Sequence, residues 1–346
     1  MTNNSKQQFS ILYFSSSDSS SQRNKYELFQ KSAQFADNNN FCAVWMPERH
    51  FHPFGGLYPS PAILAATLAT TTQKIRLRAG SVVLPLHHPV RVAEEWSVVD
   101  NLSQGRVDLS IAAGWSKNDF IFAPQNYAKR HELALERIEN IKKLWAGESV
   151  LFEDATGNFI PVNIYPKPQQ KKLNIWLTCS SSVQRFIDAG KYGYNILTAL
   201  LFQNPQQLHS KIVRYRQALR ENGHKNGHVT LMLHCFVGKN ENKLREIVRQ
   251  PFCDYLKSSA DLWSKESEVL HDVNQKNQEK MLQFAFERYF RTAAMLGTVD
   301  HCVSLANDFF QAGVDEIACL IDFGIQTSVV LEHLQYINEL KNHFIS

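Results

Sequence analysis

Short apolar runs alternate with longer amphipathic stretches along almost the whole chain. The runs are rich in β-branched and aromatic residues, which is typical of strands, and the stretches carry apolar residues at helical spacing. Strands are predicted over residues 9–14, 41–46, 75–84, 106–112, 173–178, 194–198, 229–237 and 316–321. Helices are predicted between them, among them 26–38, 89–102, 131–145, 205–221 and 329–343. This alternation indicates an α/β fold on a parallel sheet, and it fits a closed barrel better than an open sheet, although both produce it.

Two stretches interrupt the alternation. Residues 151–168 contain one Gly and three Pro, which predicts a hairpin followed by an extended crossing before the fifth strand. Residues 239–291 form a polar and helical insertion after the seventh strand. Its composition favours surface helices, with a lid as the second interpretation. No repeat or linker divides the chain, so residues 1–346 are predicted to form a single domain.

Composition and charge exclude several classes of function. The 346 residues are 44% hydrophobic, enough for a large core, and the formal net charge is only +4 with scattered Lys and Arg, so neither a nucleic-acid nor a membrane surface is indicated. No apolar run approaches the roughly 20 residues of a membrane span, which predicts a cytoplasmic protein. The six cysteines form no CxxC motif and lie mostly in apolar runs, which predicts reduced thiols.

Ionisable residues cluster directly after the second predicted strand. Glu48, Arg49, His50 and His52 lie in the motif VWMPERHFHPFGG. In a parallel barrel the carboxyl ends of the strands form one rim, where an enclosed pocket shifts pKa values and lets His act near neutral pH. Taken alone, the motif predicts a surface turn with an ion pair equally well.

Glycines mark the ends of the next two strands. Gly80 and Ser81 lie in the third predicted strand, and Gly114 and Trp115 end the fourth. Gly at such a point lets the backbone approach another group closely, and Trp can form a pocket wall. A Trp that simply packs in the core after a strand explains Trp115 as well.

Hydroxyl residues follow the fifth predicted strand. Ser180, Ser181 and Ser182 precede an amphipathic helix that begins near Val183 and carries Arg185. Hydroxyls and free backbone N–H groups at a helix N-terminus can bind an anion. On the residues alone, an ordinary Ser N-cap is the more frequent reason for this pattern.

A second His pair, His87 and His88, precedes Pro89 at the start of a predicted helix. Such a pair is more often part of a helix-start turn than a catalytic base. Neither His pair has Cys or carboxylate residues at ligand spacing, so no metal site is predicted. The chain also lacks the Gly-rich motifs of dinucleotide and P-loop sites in a strand-to-helix context.

Three motifs carry a resemblance to a known family. The segments ERHFHPFGGLYP, AGSVVLPLHHPVRVAEEWSVVDNLS and AGVDEIACLIDFG resemble those of the bacterial-luciferase-like flavin-dependent monooxygenases, especially the subgroup associated with peptide and polyketide natural-product biosynthesis. The resemblance covers nearly the whole chain and is weakest at residues 173–185 and 239–291. It implies a closed (β/α)8 TIM barrel, in which the insertion after the seventh strand helps to cover the substrate.

The resemblance also implies a chemistry. It implies FMN that is reduced by a separate reductase, with O2 as co-substrate, and a C4a-peroxide of the flavin that the protein shields from water. The implied substrate is a small organic or carrier-protein-tethered intermediate of specialised metabolism, which undergoes hydroxylation or Baeyer–Villiger insertion. The implied partners are a flavin reductase, an acyl or peptidyl carrier protein and, in a homodimer, a second copy of the chain.

Roles for particular residues follow from the resemblance. It assigns flavin binding to Gly80, Ser81, Gly114, Trp115, Ser180, Ser181, Ser182 and Arg185. The loop of three serines would hold the phosphate, and a non-prolyl cis peptide would join Gly80 to Ser81. The reacting face would be surrounded by Arg49, His50, His52 and His88. Arg49, which stands where luciferase α subunits have a His that assists the chemistry, would stabilise negative charge, and His50 or His52 would manage a proton.

Two other functions stay open at this point. A related barrel family uses the deazaflavin F420 to transfer hydride. A catalytically retired barrel can also act as a binding or scaffold subunit, as the luciferase β subunit does. Ser116 and Lys117 stand where the subgroup commonly has His-Pro, and this difference keeps the scaffold alternative open.

Overall fold

The computed structural model describes residues 7–14, 24–180, 182–200, 203–264 and 275–344. Its strands are β1 (Gln8–Leu12), β2 (Ala43–Met46), β3 (Arg76–Val83), β4 (Val107–Ala112), β5 (Val150–Glu153), β6 (Phe159–Val162), β7 (Ile175–Thr178), β8 (Asn195–Ala199), β9 (Val229–Gly238), β10 (Met295–Thr298) and β11 (Glu316–Leu320). Its α-helices are α1 (Glu27–Asn38), α2 (Pro61–Ala69), α3 (Pro89–Ser103), α4 (Arg130–Trp145), α5 (Val183–Tyr192), α6 (Pro205–Glu221), α7 (Glu241–Ser264), α8 (Gln275–Arg288), α9 (Val299–Gln311) and α10 (Thr327–Asn342).

Eight parallel strands close into a barrel. They follow the order β1, β2, β3, β4, β7, β8, β9 and β11, and β11 pairs with β1 again, so that Ile11 lies between Val44 and Cys319. The barrel strands read as apolar runs because the helices cover their outer faces and the packed interior covers their inner faces. The predicted (β/α)8 barrel and its eight predicted strands are confirmed.

The short strand β10 was not predicted. The second half of β9 pairs with it, from Cys235 beside Met295 to Gly238 beside Thr298, whereas the first half of β9 pairs with β11. Four residues give too short an apolar run to be distinguished from the end of the preceding helix. β10 therefore extends the sheet beside the barrel without entering the closed ring.

Both interruptions of the pattern form structures of their own. The predicted hairpin is the antiparallel pair β5 and β6, with Val150 opposite Val162. The insertion after β9 contains α7 and α8, followed by the π-helical turn Tyr289–Ala293. Phe252 of α7 is fully buried, and its ring centre lies 5.7 Å from that of Phe323, which follows β11. The insertion is thus packed on the carboxyl ends of the barrel strands.

Charged residues lie inside the barrel, near the amino ends of its strands. Glu316 of β11 accepts a hydrogen bond from Arg78 of β3 at 2.7 Å, and since these strands are not neighbours the contact crosses the interior. Arg78 also donates to Asp108 at 2.9 Å, and its guanidinium carbon lies 4.9 Å from the ring centre of Trp45 and 4.5 Å from that of Trp176. This network, called here the barrel ion network, is made by Arg76, Arg78, Asp108, His228 and Glu316.

Two further predictions concern the thiols and membranes. All six cysteines are free thiols, as predicted. Within the described ranges, every helix is too short or too polar to cross a membrane.

Candidate functional site

Glu48 is buried just past the end of β2 and accepts three hydrogen bonds. Its Oε1 lies 2.9 Å from His50 Nε2 and 2.5 Å from His87 Nε2, and its Oε2 accepts from the backbone N–H of Val83 at 2.8 Å. His87 comes from the turn between β3 and α3, whereas His50 lies two residues further along the loop from Glu48. The carboxylate therefore joins two strand ends of the barrel rim, and Glu48, His50 and His87 are called here the carboxylate–histidine cluster.

The electrostatics of this cluster favour its ionised form. Burial disfavours the charge of Glu48, but the hydrogen bonds from His50 and His87 outweigh it and lower the pKa of the carboxyl below its ordinary 4.5. Burial also disfavours the protonated form of His87, yet the hydrogen bond and the attraction to Glu48 raise the pKa of His87 above its ordinary 6.5. His87 therefore stays protonated, paired with the Glu48 carboxylate, to a higher pH than an isolated His would.

Replacing His87 with Gln should make the stability of the protein less dependent on pH. Because the pKa of His87 is raised on folding, its contribution is fully present below the unfolded pKa and is lost as the pH rises through the folded pKa. Gln keeps a hydrogen-bond donor but not the charge, so the wild type should be more stable by about 1 kcal/mol near pH 6, after allowance for solvent screening, and the difference should shrink in alkali. Denaturant unfolding at a series of pH values measures this difference.

The control for this measurement is His343→Gln, which alters an exposed His next to the C-terminal end of α10. Its unfolding free energy should differ little from that of the wild type. A His87→Gln difference that stays constant across the pH series would contradict the pairing of His87 with Glu48.

Arg49 is buried among aromatic rings. Its guanidinium carbon lies 5.1 Å from the ring centre of Phe14, 5.9 Å from that of Phe54 and 5.2 Å from that of Trp115. Phe14 follows β1 and Trp115 follows β4, so three strand ends converge on this cation. A contact between a cation and an aromatic face contributes about 0.5–1 kcal/mol at an exposed site and about 2 kcal/mol when water is excluded. The rim thus holds a fixed positive charge against apolar walls.

Gly55 allows this arrangement. Its φ is +82°, a region that favours glycine, and a Cβ at this position would lie 2.7 Å from Cγ of Arg49. The first glycine of the Phe-Gly-Gly part of the motif is therefore explained by the close approach of the loop to the Arg49 side chain.

The two remaining predicted catalytic His residues, His52 and His88, have contacts with other residues. His52 Nδ1 accepts a hydrogen bond from the backbone N–H of Phe54 at 3.1 Å. The ring of His88 lies 5.0 Å from that of Phe152 in β5, and burial together with nearby Arg137 lowers the pKa of His88. Of the adjacent pair, it is thus His87 and not His88 that contacts Glu48.

A second polar group at the rim consists of hydroxyls on three neighbouring strands. Ser110 Oγ lies 3.1 Å from Ser81 Oγ and 2.9 Å from Thr178 Oγ1, and Ser81 and Thr178 are hydrogen-bonded to each other. These residues come from β3, β4 and β7, and we call them the hydroxyl cluster. The Gly80–Ser81 peptide bond beside it is cis, as the resemblance implies.

Close packing around both predicted glycines limits what can replace them. A Cβ at Gly80 would lie 3.1 Å from Cβ of Trp45. Gly114 has a φ of +82°, and a Cβ there would lie 2.8 Å from Val83 Cγ1 and 2.9 Å from Phe120 Cε2. Protein packing alone therefore requires Gly114, whether or not a ligand also approaches it.

The predicted phosphate loop precedes α5. Ser182 is the N-cap residue of α5 and makes no side-chain capping hydrogen bond, and Ser180 is exposed. Ser181 lies outside the described residues. The first N–H groups of α5 are consequently not satisfied by the hydroxyl of Ser182.

Arg130 is the first residue of α4, and Arg185 lies in the first turn of α5. Arg185 Nη1 lies 3.2 Å from Asp188 Oδ2 within this helix. Burial and the positive charges of Arg185 and Arg130 lower the pKa of His131, which places these two guanidinium groups near the start of α4. The combination of cations with a helix N-terminus favours an anion at this part of the rim.

A cavity of about 100 Å³ lies beside Arg49. Strand ends form one side of it, and α7 together with the turn Tyr289–Ala293 forms the other. Its wall consists of Phe14, Arg49, Phe54, Trp115, Ala199, Leu200, Met232, His234, Tyr255, Leu256, Ser259, Tyr289 and Ala293. The insertion thus closes a space that opens onto Arg49.

A larger open cleft, of about 1580 Å³, lies at the opposite end of the barrel. Its wall includes Asn174, Asn195 and Asp315, which lie at the amino ends of β7, β8 and β11. In barrels of this kind the active site lies at the carboxyl ends of the strands. The smaller cavity beside Arg49, rather than the larger cleft, is therefore the candidate site.

The sequence interpretation missed several residues of the rim. It assigned no role at the site to His87, Ser110, Thr178 or His234. Thr178 ends a predicted strand, which was a usable signal, whereas His234 lies inside an apolar run and gave none. Within the described ranges, no group of three or more His, Cys, Asp or Glu residues is placed to hold a metal ion.

Comparison with known proteins identifies a family and individual relatives. The family model described as luciferase-like monooxygenase matches residues 7–316. The alkanal monooxygenase alpha chain of a Kryptophanaron alfredi symbiont is 24% identical over 318 residues, which cover 86% of this chain and 87% of that protein. The oxygenase component of the flavin-dependent trigonelline monooxygenase of Acinetobacter baylyi is 32% identical over 134 residues, 38% of this chain and 37% of that protein.

Solved structures share the fold at low sequence identity. Monooxygenase RslO1 from Streptomyces bottropensis is 20% identical with a TM-score of 0.82, over 98% of this chain and 100% of that one. The oxygenating constituent of 3,6-diketocamphane monooxygenase from Pseudomonas putida, in complex with FMN, is 17% identical with a TM-score of 0.77, over 97% and 98%. An F420-dependent secondary alcohol dehydrogenase is 15% identical with a TM-score of 0.71, over 99% and 100%.

Proposed function

The chain belongs to the luciferase-like monooxygenase family, and from this premise we propose that it uses reduced FMN and O2 to oxygenate a small organic or carrier-protein-tethered intermediate of specialised metabolism. The observation that carries the proposal is the meeting, at one rim of the barrel, of buried Arg49, the carboxylate–histidine cluster and the hydroxyl cluster. A cation, a proton-binding group and neutral hydroxyls suit a reaction in which charge is stabilised and a proton is transferred while water is excluded.

The residues present at the rim fit a flavin that carries a phosphate. The first N–H groups of α5 do not donate to the side chain of Ser182, and Arg185 adds a guanidinium. Such a donor set suits a phosphate. Ser81, Ser110 and Thr178 offer hydroxyls near the cis peptide for the polar edge of a planar ring. When bound, the flavin supplies the reaction with O2.

The protein's own side chains then have distinct roles. Arg49 supplies a positive charge that stabilises negative charge as it develops at the reacting face. Because Glu48 accepts from Nε2 of His50 and of His87, the proton that either ring exchanges at the reacting face is the one on Nδ1, and Glu48 orients both rings and stabilises the protonated form of His87. Phe14, Phe54 and Trp115 exclude water around the guanidinium. Enclosure strengthens each of these electrostatic effects.

The insertion and the partners complete the proposal. Residues 239–291 act as a lid on a single domain that comprises residues 1–346, because α7 and the turn Tyr289–Ala293 form one wall of the cavity. A separate flavin reductase supplies the reduced cofactor. A carrier protein presents the substrate, and the chain works as a cytoplasmic homodimer. Neither a nucleic acid nor a membrane takes part.

Anaerobic titration with reduced FMN, followed by rapid mixing with aerated buffer, tests this function. We expect the protein to bind reduced FMN and to slow the return of the oxidised-flavin absorbance, compared with free FMN, because an enclosed site excludes water and controls proton transfer. The same mixing experiment without protein is the control.

The alternatives predict different results. An F420-dependent enzyme would bind F420 and transfer hydride without consuming O2. A scaffold subunit would neither bind reduced FMN nor alter its oxidation. Either result would overturn the FMN monooxygenase proposal.

A further inference from the structure

Two buried tyrosines lack the hydrogen bond that the other buried tyrosines make. Six tyrosines are buried, and four of them bond within the protein, namely Tyr13, Tyr58, Tyr194 and Tyr215. The hydroxyls of Tyr255 and Tyr289 have no hydrogen-bond partner among the described residues. The hydroxyl of a buried tyrosine usually finds a partner. Both exceptions lie in the wall of the cavity beside Arg49, which indicates that this wall is built to meet a ligand.

The phenolic oxygen of Tyr255 is accessible from the cavity. Nε2 of His234 in the same wall is sealed from solvent, whereas Oη of Tyr255 keeps accessible surface although the residue is only 9% exposed. Arg49 and Tyr289 both line the cavity, and both act electrostatically on the Tyr255 hydroxyl, which places Oη on the cavity side of the ring. The charge that acts on the Tyr289 hydroxyl is instead that of Arg288. Tyr255 is therefore the phenol that faces the space next to Arg49.

Packing fixes the direction of this hydroxyl. The centre of the Tyr255 ring lies 4.8 Å from that of Phe54 and 4.7 Å from that of His234, both edge to face, and 6.3 Å from that of Phe252. The ring of Phe54 in turn contacts the guanidinium of Arg49. Tyr255 belongs to α7, so the insertion presents a hydroxyl to the rim in a fixed direction, which favours specific recognition.

The Tyr255 hydroxyl keeps its proton at any working pH. Burial, with a smaller contribution from the charge of Asp322, raises the pKa of Tyr255 well above its ordinary 10. A neutral phenol can donate a hydrogen bond to an acceptor, and the guanidinium of Arg49 can only donate. An atom that lies between these two groups must therefore be a hydrogen-bond acceptor.

The same surroundings favour an uncharged acceptor. Burial and Asp322 disfavour a negative charge on Oη itself, and they disfavour an anion placed against Oη for the same reason. Asp322 is held in place, because it accepts hydrogen bonds from Tyr58 Oη at 2.8 Å and from the backbone N–H of Phe14 at 2.7 Å. A carbonyl oxygen is an uncharged acceptor and meets both requirements.

The size of the cavity limits what can enter it. Pockets that hold a whole drug-sized ligand measure about 300–1,000 Å³, whereas this cavity measures about 100 Å³. It is too small for a three-ring flavin, and it can take only the end of a substrate. Most of its wall is apolar or aromatic, as in Leu200, Met232 and Leu256. The end group must therefore be compact and mainly apolar.

We propose that Tyr255 Oη donates a hydrogen bond to the carbonyl oxygen of a compact, uncharged end group of the substrate, in the cavity between α7 and Arg49. This inference rests on the proposed function, because it takes the cavity beside Arg49 as the substrate end of the site. It makes Tyr255 a specificity-determining residue, and the insertion then selects the substrate as well as covering it.

Three small probes test the proposal on the protein without flavin. Cyclopentanone carries the carbonyl, methylenecyclopentane has the same shape without the oxygen, and isobutyrate is an anion of similar size. Ligand-observed NMR titration measures their dissociation constants. The preference for the carbonyl is the Kd of methylenecyclopentane divided by that of cyclopentanone. In Tyr255→Phe, which removes only the hydroxyl, this ratio should fall about three- to tenfold, the equivalent of one hydrogen bond.

The matched control is Tyr289→Phe, which removes the other unpartnered phenol of the same wall and should keep the ratio of the wild type. Thermal unfolding gives a second readout. Tyr255→Phe should unfold at no lower temperature than the wild type, because it breaks no hydrogen bond within the protein. Tyr215→Phe should unfold at a lower temperature, because it loses the bond from Tyr215 Oη to the carbonyl of Tyr194 at 2.9 Å.

Several results would overturn the inference. These are an unchanged ratio in Tyr255→Phe, an equal fall of the ratio in Tyr289→Phe, or binding of none of the probes to the wild type. Tightest binding of isobutyrate would show that Arg49 selects an anion instead. Because no flavin is present in these titrations, they can fail while the FMN oxidation experiment succeeds, and the reverse also holds.

Discussion

Replacing Glu316 with Ala should lower the free energy of unfolding by about 3–5 kcal/mol, the cost of breaking a buried ion pair by removing one partner. Glu316 is fully buried and accepts hydrogen bonds from Arg78 at 2.7 Å, Trp45 Nε1 at 3.0 Å, Ser10 Oγ at 2.5 Å and His228 Nε2 at 2.9 Å. Without this carboxylate, Arg78 stays buried with only Asp108 as its anion in the barrel ion network. Denaturant and thermal unfolding measure the loss.

The matched control is Glu95→Ala, which removes a carboxylate from an exposed pair with Arg91 on α3. Surface pairs of this kind contribute little because water and salt screen them, so Glu95→Ala should change stability little. Replacing both members of the buried pair, as Arg78→Met with Glu316→Leu, should recover stability relative to Glu316→Ala, because no uncompensated charge remains. A Glu316→Ala protein as stable as Glu95→Ala would contradict a structural role for the network.

The barrel strands could be predicted because each is buried on both faces. In β2, for example, Val44, Trp45 and Met46 are all fully buried, and such a run is recognisable from hydrophobicity alone. Closure of the barrel was not predictable from the alternation, since an open sheet has the same pattern, and the family resemblance supplied it. The barrel ion network was not predictable either, because Arg78 and Glu316 are 238 residues apart in sequence and meet only across the closed interior.

The candidate site was predictable in its location but not in all of its residues. Arg49 and His50 could be proposed from the sequence because they follow a clear strand. Which of His87 and His88 contacts Glu48 depends on the turn after β3, where both residues have an extended backbone, His87 directly follows the 3-10 segment Leu84–Leu86 and His88 is the N-cap residue of α3. His234 was missed because its contacts come from α7, in the part of the chain where the resemblance is weakest.

Replacing Arg49 with Met should reduce kcat by about 10²–10³-fold, the typical effect of removing one preorganised group that stabilises developing charge. Met retains a long apolar side chain among Phe14, Phe54 and Trp115 but removes the positive charge that they surround. Reduced FMN should still bind, because the hydroxyl cluster and the start of α5 are unchanged. Product formation and the fraction of consumed O2 that is released as hydrogen peroxide measure the effect, and that fraction should rise.

Arg49→Lys separates the charge of Arg49 from its shape. Lys keeps the positive charge but loses the planar guanidinium that stacks on the three rings, so its kcat should lie between those of the wild type and Arg49→Met. Thermal unfolding of both variants is needed because Gly55 packs closely against Arg49, and a loop that loosens would lower kcat indirectly. Unchanged stability with lost turnover assigns the effect to the charge, whereas full turnover in Arg49→Met would remove Arg49 from the catalytic residues.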